Sequence, residues 1–552
     1  MLKKGTLPFL GEKGKRPLLY GHTLRYLKAR QIFGRLWFRV HRPRPDVRPA
    51  PPQRAARDVW LRCARTASMI GPDSFRFLNS ERRLAAPYDW THPEWPKLWL
   101  YNAHYFDDLG ADGAEERTAW HRDLIARWIA ENPPAGGIGW EPYPTSLRIV
   151  NWIRWALAGN TPEPVMLDSL AAQARWLRRR LEVHLLGNHL WANAKALVFA
   201  GTFLAGDEAA GWQRKGLALL RHELGEQILA DGGHFERSPM YHAIVLEDLL
   251  DLVQLAQLSP GNLVAADVAG WREAAQHMLR WLAAMTHPDG GVVFFNDAAL
   301  GIAPDLAALL KYARGLGIAT DVGQLDAVQV LKDSGYVRAQ LGPAVLFADS
   351  GSIGPHYLPG HAHAGTLSCE LSLHGRRLLV NSGTSTYEPG PERARQRGTA
   401  AHNTVFVDGV DSSEVWGSFR VARRAQAIGL SVESSPERLQ ISCSHDGYRR
   451  LPGRIMHHRE WQLDRYGLTI TDTLDGKCRD AVARFHLHPR VQEAGDNALR
   501  LADGVRVQWQ CDGGAARLTP STWHPQFGMS EDNRCLEVRL TGRRLITRFE
   551  WF

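Results

Sequence analysis

Two histidines stand two positions apart in residues 360–365, GHAHAG, just ahead of the alternating run TLSCELSLHG. In an extended chain, residues i and i+2 point to the same face, so His361 and His363 would offer two imidazoles to one small volume. Such a pair suits a metal ion, an anionic ligand or acid/base work. Two hydrogen-bonded histidines at a strand entry are the plain alternative. Three further stretches are too polar for their apolar settings. In LLGNHLWANAKALVFAG, Asn188 and His189 open a helical pattern that also carries Asn193 and Lys195. In DGGHFERSPMYHAIVLEDLL, His234, Glu236, Tyr241 and His242 crowd a helix start marked by Ser238 and Pro239. In VVFFNDAALG, Asn296 and Asp297 follow an apolar run. Taken singly, these are ordinary caps, packing residues and turns.

Taken together they form an Asn, His, Tyr, His inventory, which suits proton abstraction beside a carboxylate. In a uronic-acid polymer the carboxylate sits on C5 and the leaving glycosidic oxygen on C4. Removing the C5 proton builds negative charge on the carboxylate, and hydrogen-bond donors placed there stabilise it. An Asn amide and an imidazole can donate in this way. A base must take the proton and an acid must protonate the leaving oxygen, and a tyrosine can do either. Glycoside hydrolysis instead needs two carboxylic acids flanking the bond, for which Glu236, Asp231 and Asp297 are the candidates.

These residues need two kinds of element to hold them. Between about 118 and 317, apolar residues recur at spacings of three and four, as in TAWHRDLIARWIAEN, PTSLRIVNWIRWALAG and MYHAIVLEDLLDLVQLAQL. Short turns such as ENPPAGG and THPDGG join these helices and predict antiparallel stacking. From about 328 the period changes to two, as in SGYVRAQL, NTVFVDG, GLTITDTL and LITRFEWF, with Gly, Asp and Asn turns between. Strands without intervening helices predict an antiparallel sandwich. The expected division is a basic N-terminal segment with a Pro-rich linker over 1–55, a helical domain over 56–325 and a β domain over 326–552.

At 552 residues the chain is too long for one ordinary core. Its net charge of +9 favours a polyanionic partner, and no nucleic-acid motif accompanies it. Six scattered cysteines without a CxxC pair argue against a zinc ribbon or a disulfide scaffold. The N-terminus has no apolar signal core, and no 20-residue apolar span occurs. That suggests a cytoplasmic location, with the periplasm or cell envelope as the alternative. Residues 20–40 mix apolar side chains with Arg and Lys, which predicts a basic helix packed on its own protein, or else one lying on a membrane surface or a partner.

Several long motifs in one order resemble the heparinase II/III family of polysaccharide lyases. They are KLWLYNAHYFDDL, WEPYPTSLRIVNWIRW, GNHLWANAKALVFAG, HFERSPMYHAIVLEDLLDL, GHAHAGTLSCELSLHGRRLLVNSGTSTY and TAAHNTVFVDG, together running from about 98 to 409. The resemblance implies an incomplete (α/α) toroid followed by an antiparallel β-sandwich, with an acidic polysaccharide in the cleft between them. It implies β-elimination, leaving an unsaturated uronate end. Residue by residue, it implies that Asn188 neutralises the substrate carboxylate, that His189 is a base, that Tyr241 is the general acid, and that His361 reaches in from the β domain. Glu236 and Arg237 are implied sugar contacts, and Asn296 is a further candidate for binding substrate. The resemblance also implies a structural zinc on His363, Asn381 and His402. Here the chain departs from the pattern, because Asn381 stands where an aspartate is usual, and a lost anionic ligand weakens a divalent site. The alternative is a hydrogen-bonded cluster without metal. A hydrolase on the same toroid and a non-catalytic glycan-binding protein of exopolysaccharide assembly are the competing readings.

Overall fold

In the computed structural model, residues 12–319, 322–323 and 325–552 are described. Two short helices come first, α1 (Glu12–Leu24) and α2 (Ala29–Val40). The Pro-rich run that follows is extended, as proline dictates, but it is strapped to the helical domain rather than hanging free. The Ala50 amide donates to Asp168 Oδ1 at 2.7 Å, and the Arg54 amide donates to the Phe203 carbonyl at 2.9 Å. A hairpin, β1 (Ser74–Phe77) with β2 (Ser80–Arg83), precedes the main helices.

The three- and four-residue periodicity becomes α3 (Lys97–Tyr105), α4 (Thr118–Glu131), α5 (Pro142–Leu157), α6 (Pro164–Arg179), α7 (Gly187–Phe203), α8 (Gly206–Gln227), α9 (Pro239–Leu258), α10 (Ala265–Ala284) and α11 (Leu306–Gly315). They build the incomplete toroid. α7 and α9 are apolar on nearly every side and are buried almost throughout, as a helix without a polar face must be. Their N-terminal turns carry Asn188 and Tyr241, so the innermost helices present the candidate site. Among the described residues, no helix is long and apolar enough to cross a membrane.

The period-two half begins with β3 (Val328–Leu331), β4 (Tyr336–Leu341), β5 (Ala344–Asp349), β6 (Cys369–Leu373) and β7 (Arg376–Leu379), which form one antiparallel sheet in that order. A four-stranded and an eight-stranded sheet complete the sandwich, with Trp461 registered against Ile470 and Ala483 against Val405. Leu346, Leu371, Trp461, Phe485 and Phe549, all fully buried, meet in its core. Residues 350–368, between β5 and β6, leave the sheet as one long loop. Its neck is closed by the Leu367 amide on the Asp349 carbonyl and the Asp349 amide on the Ser368 carbonyl, both 2.9 Å. GHAHAG lies in this loop and not at a strand entry, since β6 starts only at Cys369.

Candidate active site

Tyr241 is placed by the start of α9. The Ser238 hydroxyl accepts from the Tyr241 amide at 3.2 Å, and Pro239 supplies a preset first helical residue. The same hydroxyl donates to the Asp297 carbonyl at 2.5 Å, which ties the helix start to the loop between α10 and α11. The Tyr241 ring lies 3.9 Å from that of His361, and its hydroxyl is 3.1 Å from the hydroxyl of Tyr387. Burial, reinforced by Tyr387, holds the Tyr241 phenol well above its ordinary pKa, so it is protonated at neutral pH.

Asn188 is placed by the start of α7. Leu186 and Gly187 both take positive φ, 64° and 54°, to turn the chain into the helix. A Cβ at Gly187 would stand 2.5 Å from both Glu236 Oε1 and Leu358 Cδ2, so the close approach of helix and loop requires glycine there. Asn188 is the second helical residue and not the cap. Its backbone amide faces Glu236 Oε1 at 3.5 Å, and its side-chain amide makes no hydrogen bond among the described residues, which leaves it for a ligand. Beside it, His189 Nδ1 lies 3.1 Å from Glu182 Oε1, and the ring stands 4.5 Å from that of Tyr143. Burial opposes protonation of His189, but the Glu182 carboxylate outweighs it and raises the pKa above the ordinary histidine value.

Both histidines of GHAHAG turn to one carboxylate. His361 Nδ1 is 2.9 Å from Asp297 Oδ2, and His363 Nε2 is 2.8 Å from Asp297 Oδ1. Arg393, on α12 (Pro391–Arg397), closes on the same group through both terminal nitrogens, Nη2 at 2.7 Å from Oδ2. Burial opposes ionisation of Asp297, yet Arg393 and the two imidazoles hold its carboxyl well below the usual range. An ionised carboxylate only accepts, so both ring nitrogens donate to it. That sets His361 with Nδ1 protonated and aims its Nε2 at the toroid, 3.7 Å from Glu236 Oε2. Burial raises the pKa of Glu236. Asn188, Glu236, His361, Tyr241 and Tyr387 thus form one contiguous polar surface where the two domains meet.

Three assignments need correcting. Asn296, expected at the substrate, is spent on the protein. Its Nδ2 donates to the Arg237 carbonyl at 2.8 Å and to Tyr336 Oη at 3.1 Å, and its Oδ1 accepts from the His363 amide at 3.1 Å. Arg237 likewise points away from sugar, its guanidinium donating to the Ser352 and Asp333 carbonyls as a brace between the domains. The carboxylates proposed for hydrolysis do not flank an open bond. Asp297 is fully buried under Arg393, and Asp231 accepts from the amide and hydroxyl of Ser334 at 2.7 and 2.8 Å.

The zinc set does not fit a structural metal. Among the described residues His363 Nδ1 and His402 Nε2 are buried without hydrogen-bond partners, with the rings 5.3 Å apart, but the third donor is turned elsewhere. Asn381 Oδ1 faces Ser368 Oγ at 2.7 Å and His402 Nδ1, the opposite ring nitrogen, at 3.1 Å. Two imidazoles without a converging carboxylate fall short of the four ligands of a structural zinc site. Dialysis against a chelator is therefore expected to leave the thermal unfolding midpoint unchanged in scanning fluorimetry. A drop of several degrees, reversed by zinc, would return the metal to this cluster.

Glu182, Tyr387 and Arg393 belong to the site without having been singled out from sequence. Tyr387 lies within a quoted motif and Arg393 within the basic run PERARQR, but neither sits in a periodic element that would indicate its direction. The comparisons with known proteins agree with this architecture. Residues 156–314 match the heparinase II/III N-terminus and residues 323–551 the heparinase II/III-like C-terminal domain. A heparin-sulfate lyase of Bacteroides stercoris is 25% identical over 366 residues, 59% of this chain, and the chain spans about half (50%) of that relative's length. FtsZ-localized protein C of Caulobacter vibrioides is 25% identical over 450 residues, 75% of this chain and 70% of the relative. The crystal structure of heparinase III superposes with a TM-score of 0.64 at 18% identity, covering 86% of this chain and 79% of that one, which is a likeness of fold. With both of its domains matched in order, the chain belongs to the heparinase II/III-like family.

Proposed function

We propose that this protein is a polysaccharide lyase that cleaves a uronic-acid polymer by β-elimination. The observation that carries the reading is a protonated tyrosine, Tyr241, whose ring lies 3.9 Å from that of His361 across the domain junction, beside an Asn188 side-chain amide with no hydrogen-bond partner among the described residues. In this mechanism the substrate carboxylate lies against the Asn188 amide and against His361 in its doubly protonated form, whose Nε2–H faces the cleft, so that both donate to the charge that grows as the C5 proton leaves. His189, neutral and with Nδ1–H held by Glu182, takes the proton at Nε2. Tyr241 protonates the departing C4 oxygen. The relatives named as heparin-sulfate lyases support a glycosaminoglycan-like substrate. The test is incubation with heparosan, hyaluronan and alginate, following the ultraviolet absorbance of the new conjugated double bond and the mass of the products. No absorbance on any uronate polymer, beside an active control lyase, rejects the reading. The relative named for FtsZ localisation covers more of this chain than the lyase does, and it carries the second reading, a non-degrading use of the same scaffold. That reading predicts silence across the whole panel.

The raised pKa of His189 has a consequence for pH. As a base it must be neutral, so kcat/KM rises as pH passes upward through its pKa, which lies above the ordinary 6.5. In Glu182→Gln the stabilising charge is gone, and the rising limb of the profile is expected to move to lower pH. An unmoved limb would assign the titration to another group.

A further inference from the structure

The strongest feature outside the cleft is the outer face of α2. Its inner face is seated: Gln31 Nε2 donates to the Tyr357 carbonyl at 3.1 Å, Gly34 packs against His184, and the Phe38 ring lies 4.4 Å from the His184 ring. The other side holds Ile32, Phe33, Leu36, Trp37 and Val40, at i, i+1, i+4, i+5 and i+8, which is one continuous stripe. These residues are 44%, 70%, 57%, 61% and 80% exposed, so five large apolar side chains in three turns face solvent. A stripe of this kind is uncommon on a soluble surface and marks an interaction site.

Its charge indicates what covers it. From residue 13 to residue 45 the sequence holds ten Lys and Arg and no Asp or Glu. On α2 itself, Arg35 and Arg39 have no ion pair among the described residues, and Arg420 adds a third cation beside them. Partial burial, and then the positive charges of Arg420 and Arg39, lower the pKa of Arg35, so the cluster is short of negative charge. A second copy of this chain would bring the same cations against these. A nucleic acid would satisfy the charge but not five hydrocarbon side chains. An anionic lipid surface satisfies both, because apolar residues enter the acyl boundary while the flanking arginines meet the headgroups.

We propose that α2 is an interfacial anchor that docks the protein on an anionic bilayer surface through Phe33, Leu36 and Trp37, flanked by Arg35 and Arg39. The hairpin of α1 and α2 is fastened to the rest of the molecule, with Trp416 Nε1 donating to Thr23 Oγ1 at 3.1 Å and Lys28 paired with Glu226, so docking would hold the whole enzyme at the surface.

The test is flotation of the full chain with vesicles of phosphatidylcholine alone and of phosphatidylcholine mixed with phosphatidylglycerol. The expected result is binding to the anionic vesicles at least about tenfold stronger than to the neutral ones, weakened by salt. Phe33→Ser with Trp37→Ser, and separately Arg35→Glu with Arg39→Glu, should each weaken it by roughly tenfold or more, since burying each aromatic and each headgroup contact contributes a comparable factor. Unchanged thermal midpoints confirm that these exposed substitutions leave the fold intact. Equal flotation with both vesicles, no flotation, or variants that bind like the parent protein would overturn the proposal. So would a dimer in light scattering that the Phe33→Ser, Trp37→Ser variant dissolves, because the stripe would then belong to a second copy.

Discussion

Replacing Tyr241 with phenylalanine is expected to lower kcat by ~10²–10⁴-fold, the usual contribution of a positioned proton-transfer group. KM should change little, because phenylalanine keeps the ring that lies 3.9 Å from His361. The substitution removes one hydroxyl and its 3.1 Å contact with Tyr387, and it leaves the Ser238 cap and the helix start untouched. The buried phenol is held protonated, so its proton is available to the leaving oxygen over the whole neutral range. The measurement is initial rate by ultraviolet absorbance on the best polymer of the panel, with the thermal midpoint as control. A variant within about tenfold of the parent kcat would contradict the assignment of Tyr241 as acid, since loss of such a group costs more than that. Asn188→Ala should fall ~10²–10³-fold for a different reason, the loss of a donor to developing charge.

Asp297→Asn should be the most damaging single change to the fold near the site. Asp297 is fully buried and is bonded to Arg393, His361 and His363. Its neutral isostere leaves the Arg393 guanidinium buried without its counter-charge, which costs about 3–5 kcal/mol. The amide also cannot accept from all three partners at once, so His361 loses the bond that sets its tautomer. The expected outcome is a clear fall in the unfolding midpoint together with loss of activity. The double variant Asp297→Asn, Arg393→Met separates the two effects. Removing the orphaned cation should recover much of the stability, while activity stays low because His361 is still unanchored. If activity returns with stability, Asp297 acts on the fold alone and His361 needs no orientation by it.

Much of the architecture was legible because it repeats. Apolar spacings of three and four fill α4 to α11, and alternation fills the strands, so the order of a helical half and a β half follows from local pattern. The Ser238-Pro239 start of α9 was equally local, and with it the position of Tyr241 on a first turn. Where a pattern broke, the reading went astray. After α6 the helix stops at Arg179, Glu182 reaches His189, and α7 opens through two positive-φ residues. Nothing in the periodicity marks that turn.

The sequence by itself determined the succession of elements and the family, and it singled out Asn188, His189, Tyr241 and His361 as candidates for one site. Tertiary structure decided what the polar residues around them do. Asp297 meets His361, His363 and Arg393 across 64, 66 and 96 residues of chain. That contact turned a presumed acid into an anchor, gave two histidines two positions apart the same partner, and drew in an arginine from a basic surface run. Asn296 was claimed by the Arg237 carbonyl and the His363 amide, and Arg237 by carbonyl groups of the opposite domain. Asn381 was claimed by His402 Nδ1 and Ser368. A polar side chain takes whichever partner lies within about 3 Å once the chain has folded, and that distance depends on how domains dock rather than on any spacing along the sequence. The exposed stripe of α2 shows the same division: its amphipathic pattern is written in residues 29–40, but which face the toroid covers, and which is left for another surface, was settled only by the packing of Gln31, Gly34 and Phe38.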